Sequence, residues 1–167
     1  MPAVPTTSTS TATPVLQNGT YQIISAANER YVLSRSPAED RSLLPKPVLV
    51  LPGGLSNLST WTVTRNADGT YTLKNKNAPV INANGQVAAQ LMAEESIETS
   101  WTITSVFYQG ENQFIIESRD RSVGWNLRVD AAQVPIPFVQ PNVSGLISTR
   151  SFPPQYPAFE RFIFKRV

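Results

Sequence analysis

Cysteine and histidine are both absent from this chain of 167 residues. Without cysteine, the protein has no disulfide framework, no thiol nucleophile and no thiolate metal site. Without histidine, it lacks the commonest metal ligand and the commonest general base, so a Ser-His-Asp triad cannot form. These absences exclude most hydrolase mechanisms. Enzymes that use only carboxylates remain possible, and we expect neither a metal nor another cofactor.

Charge is also sparse. Charged residues make up 16% of the chain and the net charge is only +2, whereas a typical protein has about 25% charged residues. The lysines and arginines form no basic run, which argues against nucleic-acid binding. The longest apolar runs fall short of the roughly 20 residues of a transmembrane helix, and the N-terminus lacks the features of a secretory signal. We expect a cytoplasmic monomer that binds neither nucleic acid nor membrane.

The chain divides into two compositional regions. Residues 1–16 are rich in Ser, Thr and Pro and are predicted to be a flexible arm, and residues 17–167 are predicted to be one domain. The domain contains about twelve short segments rich in β-branched and aromatic residues, which predict β-strands. Asp68-Gly69 and Asn84-Gly85 indicate hairpin turns. A helix is expected only around residues 93–99, and only for one or two turns.

Aromatic residues recur in a threefold pattern. Each third of the domain opens on an aromatic-led strand and closes on another. The opening residues are Tyr21, Tyr71 and Phe114, and the closing residues are Trp61, Trp101 and Phe162. Three four-stranded repeats of this kind predict an all-β protein with the β-trefoil fold, in which six strands close a barrel and six form a hairpin cap. We expect the six aromatic side chains to pack in the core.

One loop stands out between predicted strands 2 and 3, with the sequence SPAEDRSLLPKP at residues 36–47. Its prolines, Pro37, Pro45 and Pro47, restrict the backbone and stiffen the loop. Arg41 lies near its middle. Composition alone favours a solvated surface charge at this position, because most loop arginines do nothing specific.

Several motifs together resemble those of the mycospins, the small β-trefoil serine protease inhibitors of mushrooms. These motifs are NGTYQI, PKPVLVLPGG, STWTVT, DGTYTL and the C-terminal PPQYPAFERFIFKRV, and the resemblance covers residues 18–167. The resemblance implies a protein that is not an enzyme and that inhibits trypsin-like proteases through the loop at residues 37–47, in a role of defence or of regulation. The implied reactive site is Asp40, Arg41, Ser42 and Leu43, with Arg41 entering the specificity pocket.

Other protease-binding sites remain open. Arg150-Ser151, in the long loop before the last strand, is the strongest rival reactive site. The mycocypins, which resemble this chain in fold, inhibit papain-like cysteine proteases and legumain. A legumain site would require an exposed asparagine in a tight loop, and Asn75 and Asn77 are the candidates, although asparagine is common in turns for other reasons.

A carbohydrate-binding lectin is the alternative from a different class. Trp125 with Asn126 could stack on and hydrogen-bond a sugar, but the threefold Gln-x-Trp pattern typical of β-trefoil lectins is missing. A glycosidase using two carboxylates is less favoured still, because no paired acids occupy related loops.

Overall fold

The computed structural model describes residues 13–36, 39–52, 59–127, 140–142 and 154–167. The described residues form twelve strands of an all-β fold. They are β1 (Gly19–Ser25), β2 (Asn28–Arg35), β3 (Lys46–Pro52), β4 (Trp61–Arg65), β5 (Tyr71–Asn75), β6 (Ala78–Ala83), β7 (Gln86–Ala89), β8 (Ser100–Ser105), β9 (Gln113–Ser118), β10 (Gly124–Asn126), β11 (Gln140–Asn142) and β12 (Phe162–Arg166). The prediction of twelve strands in an all-β fold is confirmed.

Helical structure within the described residues is limited to a 3₁₀ turn at Ala158–Glu160. The short helix expected around residues 93–99 is wrong. That segment instead contains a turn, in which the amide of Ile97 donates to the carbonyl of Glu94 at 3.2 Å. None of the helical structure in the described ranges is long and apolar enough to cross a membrane.

Six antiparallel strands close a barrel in the order β1, β4, β5, β8, β9 and β12, with β12 returning to β1. The aromatic residues that open and close each repeat stand directly opposite one another. The three pairs are Tyr21 with Trp61, Tyr71 with Trp101, and Phe114 with Phe162. All six side chains are buried. The predicted threefold pattern therefore corresponds to paired positions on neighbouring strands of the barrel, and the β-trefoil assignment is confirmed.

The other six strands form three hairpins, β2–β3, β6–β7 and β10–β11, which make the cap. Two closing tryptophans connect the barrel to this cap. The indole of Trp61 donates to the carbonyl of Leu33 in β2 at 2.8 Å, and that of Trp101 donates to Val80 in β6 at 3.0 Å. Equivalent residues in two repeats thus make equivalent bonds, which fixes each hairpin against its part of the barrel.

In the third repeat the closing residue is Phe162, whose ring has no hydrogen-bond donor. The indole of this repeat belongs to the cap hairpin and makes ring contacts. Trp125 of β10 is 1% exposed. Its ring lies 6.1 Å from Trp61, 5.3 Å from Trp101 and 6.1 Å from Phe162, measured between ring centroids. One side chain of the cap therefore contacts the closing aromatic residue of all three repeats.

The predicted boundary between arm and domain requires a correction. Leu16, placed in the arm by its composition, is 5% exposed and belongs to the core. The Tyr71 hydroxyl donates to the Leu16 carbonyl at 2.9 Å, and the Tyr21 hydroxyl donates to the Gln17 carbonyl at 2.8 Å. The domain thus begins before Gln17. Residues 1–12 of the predicted arm lie outside the described residues, and their flexibility stays a prediction.

Trp125→Ala tests the central aromatic contact. We expect it to lower the free energy of unfolding by about 3–5 kcal/mol, because it removes a large, fully buried aromatic ring. Urea unfolding followed by circular dichroism measures this quantity. The control is Phe107→Ala, which truncates an aromatic ring that is 48% exposed and should cost less than about 1 kcal/mol. Equal costs for the two variants would contradict the proposed central role of Trp125.

Candidate functional site: the loop between β2 and β3

The predicted reactive loop connects Arg35, the last residue of β2, to Lys46, the first residue of β3. It is therefore residues 36–45, somewhat shorter than the predicted 37–47. Lys46 and Pro47 belong to β3, where they pair with Ala89 and Ala88 of β7. Both ends of the loop are thus attached to the hairpin cap, and a basic residue of the cap flanks the loop on each side.

The first end of the loop is held by a buried arginine. The Arg35 guanidinium donates to both carboxylate oxygens of Glu39, from Nε to Oε2 at 3.0 Å and from Nη2 to Oε1 at 2.6 Å. The Arg35 side chain is 7% exposed and also donates to the carbonyl of Asn75 at 3.3 Å. The ammonium of Lys76 donates to the carbonyl of Ser36 at 2.9 Å. Bidentate pairing of this kind fixes orientation as well as distance, so this side of the loop is tied to the β5–β6 turn.

The second end is held by a buried lysine. The Lys46 side chain is 6% exposed, whereas that of Asp40 is 74% exposed. The Lys46 ammonium forms an ion pair with Asp40 Oδ1 and donates to Ser42 Oγ at 3.0 Å. Asp40 Oδ1 also accepts from the Ser42 amide at 3.0 Å and from the Ser42 hydroxyl at 2.6 Å. The residues before and after Arg41 are therefore bonded to each other and to the strand below.

The charge of Asp40 is strongly favoured by this arrangement. Hydrogen bonds from Lys46, and then from the hydroxyl and amide of Ser42, lower the pKa of Asp40 from 3.8 to about 2. These donors bind the ionised form of the carboxylate, which is why the pKa falls. Asp40 is consequently ionised, and its contacts intact, at neutral pH.

The tip of the loop, which we define as Arg41, Leu43 and Leu44, projects into solvent. Arg41 is exposed, and the side chains of Leu43 and Leu44 are 63% and 69% exposed. A large apolar surface left in water beside a basic side chain is typical of a binding surface. The loop thus combines a firmly bonded base with an uncovered tip.

Arg41 differs in backbone conformation from Arg121, which lies in the same short sequence motif. Asp120-Arg121-Ser122, in the β9–β10 turn, repeats the Asp-Arg-Ser sequence and the same bonds, with Asp120 Oδ1 accepting from the Ser122 amide at 3.0 Å. Arg121, however, has a φ of 61°, in the left-handed region, and Arg41 is not among the described residues with positive φ. A protease binds its substrate segment extended, as an added strand. Of these two arginines, Arg121 has a left-handed backbone that an extended substrate segment does not adopt.

The remaining candidates differ in where the structure puts them. Asn75 is fully buried, and its side chain is bonded to the Arg35 amide at 3.0 Å and to the Thr60 carbonyl at 3.1 Å. It therefore offers no side chain to legumain. Asn77 is exposed in the β5–β6 turn, with a φ of 63°. Arg150 and Ser151 lie outside the described residues.

The interpretation of Trp125 and Asn126 as a sugar site is wrong. Trp125 is 1% exposed and Asn126 is 7% exposed, so neither can stack on or bind a carbohydrate in solvent. Within the described ranges, no group of three acidic side chains comes together.

Sequence reasoning missed the residues that hold the loop. The sequence predicted no role in holding the loop for Lys46, Glu39 or Arg35. The sequence contains one signal for these contacts. Glu39 lies four residues after Arg35, and Asp40 lies six residues before Lys46, in a chain with few charged residues. That signal is weak, because it does not reveal that Arg35 and Lys46 are buried.

A pH titration tests the Asp40 network. Because the pKa of Asp40 in the folded protein is lowered to about 2, the contacts should be complete above about pH 4 and should be lost as the pH falls through about 2. The amide resonance of Ser42, followed by NMR, should report this midpoint. Ser42→Ala, which removes the hydroxyl donor, should raise the midpoint. A wild-type midpoint close to 3.8 would contradict the network.

Comparisons with known proteins indicate the family of this chain. Residues 14–166 match the model of the family described as peptidase inhibitor I66. A protein of Lentinula edodes named serine protease inhibitor is 36% identical over 110 residues, which cover 66% of this chain and 73% of that protein. The structure of a proteinase inhibitor from Coprinopsis cinerea superposes with a TM-score of 0.77 and 36% identity, covering 91% of this chain and 99% of the other.

More distant structures share only the fold. The ricin B-like lectin of Macrolepiota procera, solved with lactose, has a TM-score of 0.63 at 16% identity, covering 93% of this chain and all of that one. The match of nearly the whole domain to one family model, together with two relatives at 36% identity, confirms the resemblance to the mycospins. The chain belongs to the peptidase inhibitor I66 family, a family of protease inhibitors and not of enzymes.

Proposed function

We propose that this protein inhibits trypsin-like serine proteases by presenting Arg41 to the specificity pocket. The observation that carries the proposal is the exposed Arg41 between two residues, Asp40 and Ser42, that are bonded to each other and to a buried lysine. The pocket of a trypsin-like protease ends in a carboxylate. An arginine reaches that carboxylate and binds it in bidentate geometry.

The rigidity of the loop supports tight binding. A loop that must be ordered on binding loses part of the gross interaction energy as conformational entropy. Here the ordering contacts already exist in the unbound protein, at Arg35 with Glu39 on one side and at Lys46 with Asp40 on the other. The protease therefore meets a segment that is close to its bound shape.

Leu43 and Leu44 extend the contact beyond Arg41. Protease–inhibitor interfaces bury about 1,600 Å² in total, which one side chain cannot supply. The two leucines follow the Arg41-Ser42 bond directly and are largely exposed, so they are placed to contact the protease on the far side of that bond. Their burial would add apolar area around the arginine anchor.

Arg41→Ala is the decisive variant. We expect trypsin inhibition to weaken by at least about thirtyfold, because losing a central anchor costs about 2 kcal/mol or more. The inhibition constant measures this, in a panel that includes chymotrypsin, papain and legumain. Arg121→Ala is the matched control, since it removes the arginine of the second Asp-Arg-Ser sequence, in the β9–β10 turn. It should leave inhibition unchanged.

Two outcomes would contradict the assignment. If Arg150→Ala abolishes trypsin inhibition and Arg41→Ala does not, the reactive loop is the one before β12. If the protein leaves trypsin active but blocks papain or legumain, the inhibitor is of the mycocypin type, and Asn77 becomes the residue to substitute.

Substitutions at Arg41 should also change which protease is inhibited. Arg41→Lys should retain much of the binding to trypsin, because the ammonium still reaches the pocket carboxylate, although without bidentate geometry. Arg41→Leu should shift inhibition from trypsin to chymotrypsin, whose pocket is apolar. The ratio of the two inhibition constants measures the shift. An unchanged ratio for Arg41→Leu would show that this side chain does not enter the pocket.

A further inference from the structure

Lys46 has a position that simple loop support does not require. Its ammonium is buried under the loop and contacts a residue on each side of the Arg41-Ser42 bond, Asp40 before the bond and Ser42 after it. The Lys46 backbone is paired with Ala89 of β7. The contact is therefore anchored in the sheet of the cap and not in the loop itself.

The bonds around Lys46 close a bridge that bypasses the Arg41-Ser42 peptide bond. Asp40 Oδ1 accepts from the Ser42 hydroxyl at 2.6 Å, and Ser42 Oγ accepts from Lys46 at 3.0 Å. If the peptide bond were cut, Asp40 and Ser42 would still be connected through these contacts. A buried ammonium without partners is costly, so the energetics of Lys46 favour keeping both.

We propose that Lys46 is a positioning residue that makes cleavage of the Arg41-Ser42 bond reversible and so keeps the protein an inhibitor rather than a substrate. This inference rests on the proposed function. It concerns what happens to the reactive bond after the protease has bound, whereas the proposed function concerns only which residue the protease binds.

The chemistry of the step is that of acyl transfer. The protease serine hydroxyl adds to the Arg41 carbonyl carbon, the bond from that carbon to the Ser42 nitrogen breaks, and the nitrogen takes up a proton and leaves as an amine. An ester between the protease and Arg41 remains. If the amine stays in place, it attacks the ester, re-forms the peptide bond and returns the proton to the protease serine. If it moves away, water attacks the ester and leaves a cut chain.

The competition between amine and water depends on position. A nucleophile held beside its target has an effective concentration of up to about 10⁵–10⁸ M, far above that of water. The bridge through Lys46 and Asp40 holds Ser42 where its amine would be released. Lys46 acts through these two residues and touches neither the protease nor the reacting carbonyl.

Lys46→Met tests the proposal, because methionine fills a similar volume without the charge. Each full-length protein is incubated with a small molar fraction of trypsin, and intact and cut chains are measured by mass spectrometry beside residual inhibition. Wild type should settle at a mixture of intact and cut chains and keep inhibiting. Lys46→Met should be cut at least about tenfold faster and lose inhibition, since small losses of alignment cost up to about a hundredfold.

Lys165→Met, an exposed lysine of β12, is the matched control and should behave as wild type. A second measurement serves if Lys46→Met fails to fold. Wild-type protein cut at Arg41-Ser42 is isolated and incubated with fresh trypsin, and the intact chain should reappear. Absence of resynthesis would overturn the proposal.

The remaining outcomes separate this inference from the proposed function. If wild type does not inhibit trypsin, the proposed function fails and the role of Lys46 fails with it. If wild type inhibits and Lys46→Met is cut no faster, the proposed function stands and this inference is wrong. A weaker initial affinity with an unchanged cut fraction would also overturn it, because that result assigns Lys46 only to loop stability.

Discussion

Burial of Trp125 against the closing aromatic residues of all three repeats is the contact on which the rest of the structure depends. The barrel alone is a ring of strands with an open end, and the cap alone is a set of three hairpins. The indole of Trp125 lies between them and contacts Trp61, Trp101 and Phe162. Because interiors are packed nearly as densely as crystals, this junction leaves the hairpins little freedom to move. The loop between β2 and β3 therefore starts from a fixed base.

Two ion pairs lie where that base meets the loop. Arg35, the last residue of β2, binds Glu39 of the loop. Lys46, the first residue of β3, binds Asp40. Burying one partner of an ion pair raises the cost of losing the other, so these contacts restrain the loop more strongly than surface pairs would. The arginine between the two clamps is exposed. Two ion pairs with a buried basic partner thus restrain this surface segment on both sides of Arg41.

Much of the fold could be predicted from the sequence, because its signals are local. Short alternating segments identify strands, and the spacing of six aromatic residues identifies a threefold barrel, which the register of the three pairs confirms. The errors lie where burial overrides composition. Leu16 follows a Ser, Thr and Pro-rich stretch yet enters the core, and the indole of Trp125 resembles a sugar-binding side chain but is buried against the closing aromatic residues of the barrel.

The sequence by itself determined the β-trefoil fold, the family and the position of Arg41 in a stiff loop between two strands, because each depends on residue order over short distances. Tertiary structure alone decided which charges are buried and which loop residues adopt a left-handed backbone. Lys46 became a buried clamp because β3 pairs with β7 beneath the loop. The Asp-Arg-Ser sequence occurs twice with the same hydrogen bonds, but only one copy carries its arginine in a left-handed backbone. That difference comes from the surrounding turn, which the three residues do not encode.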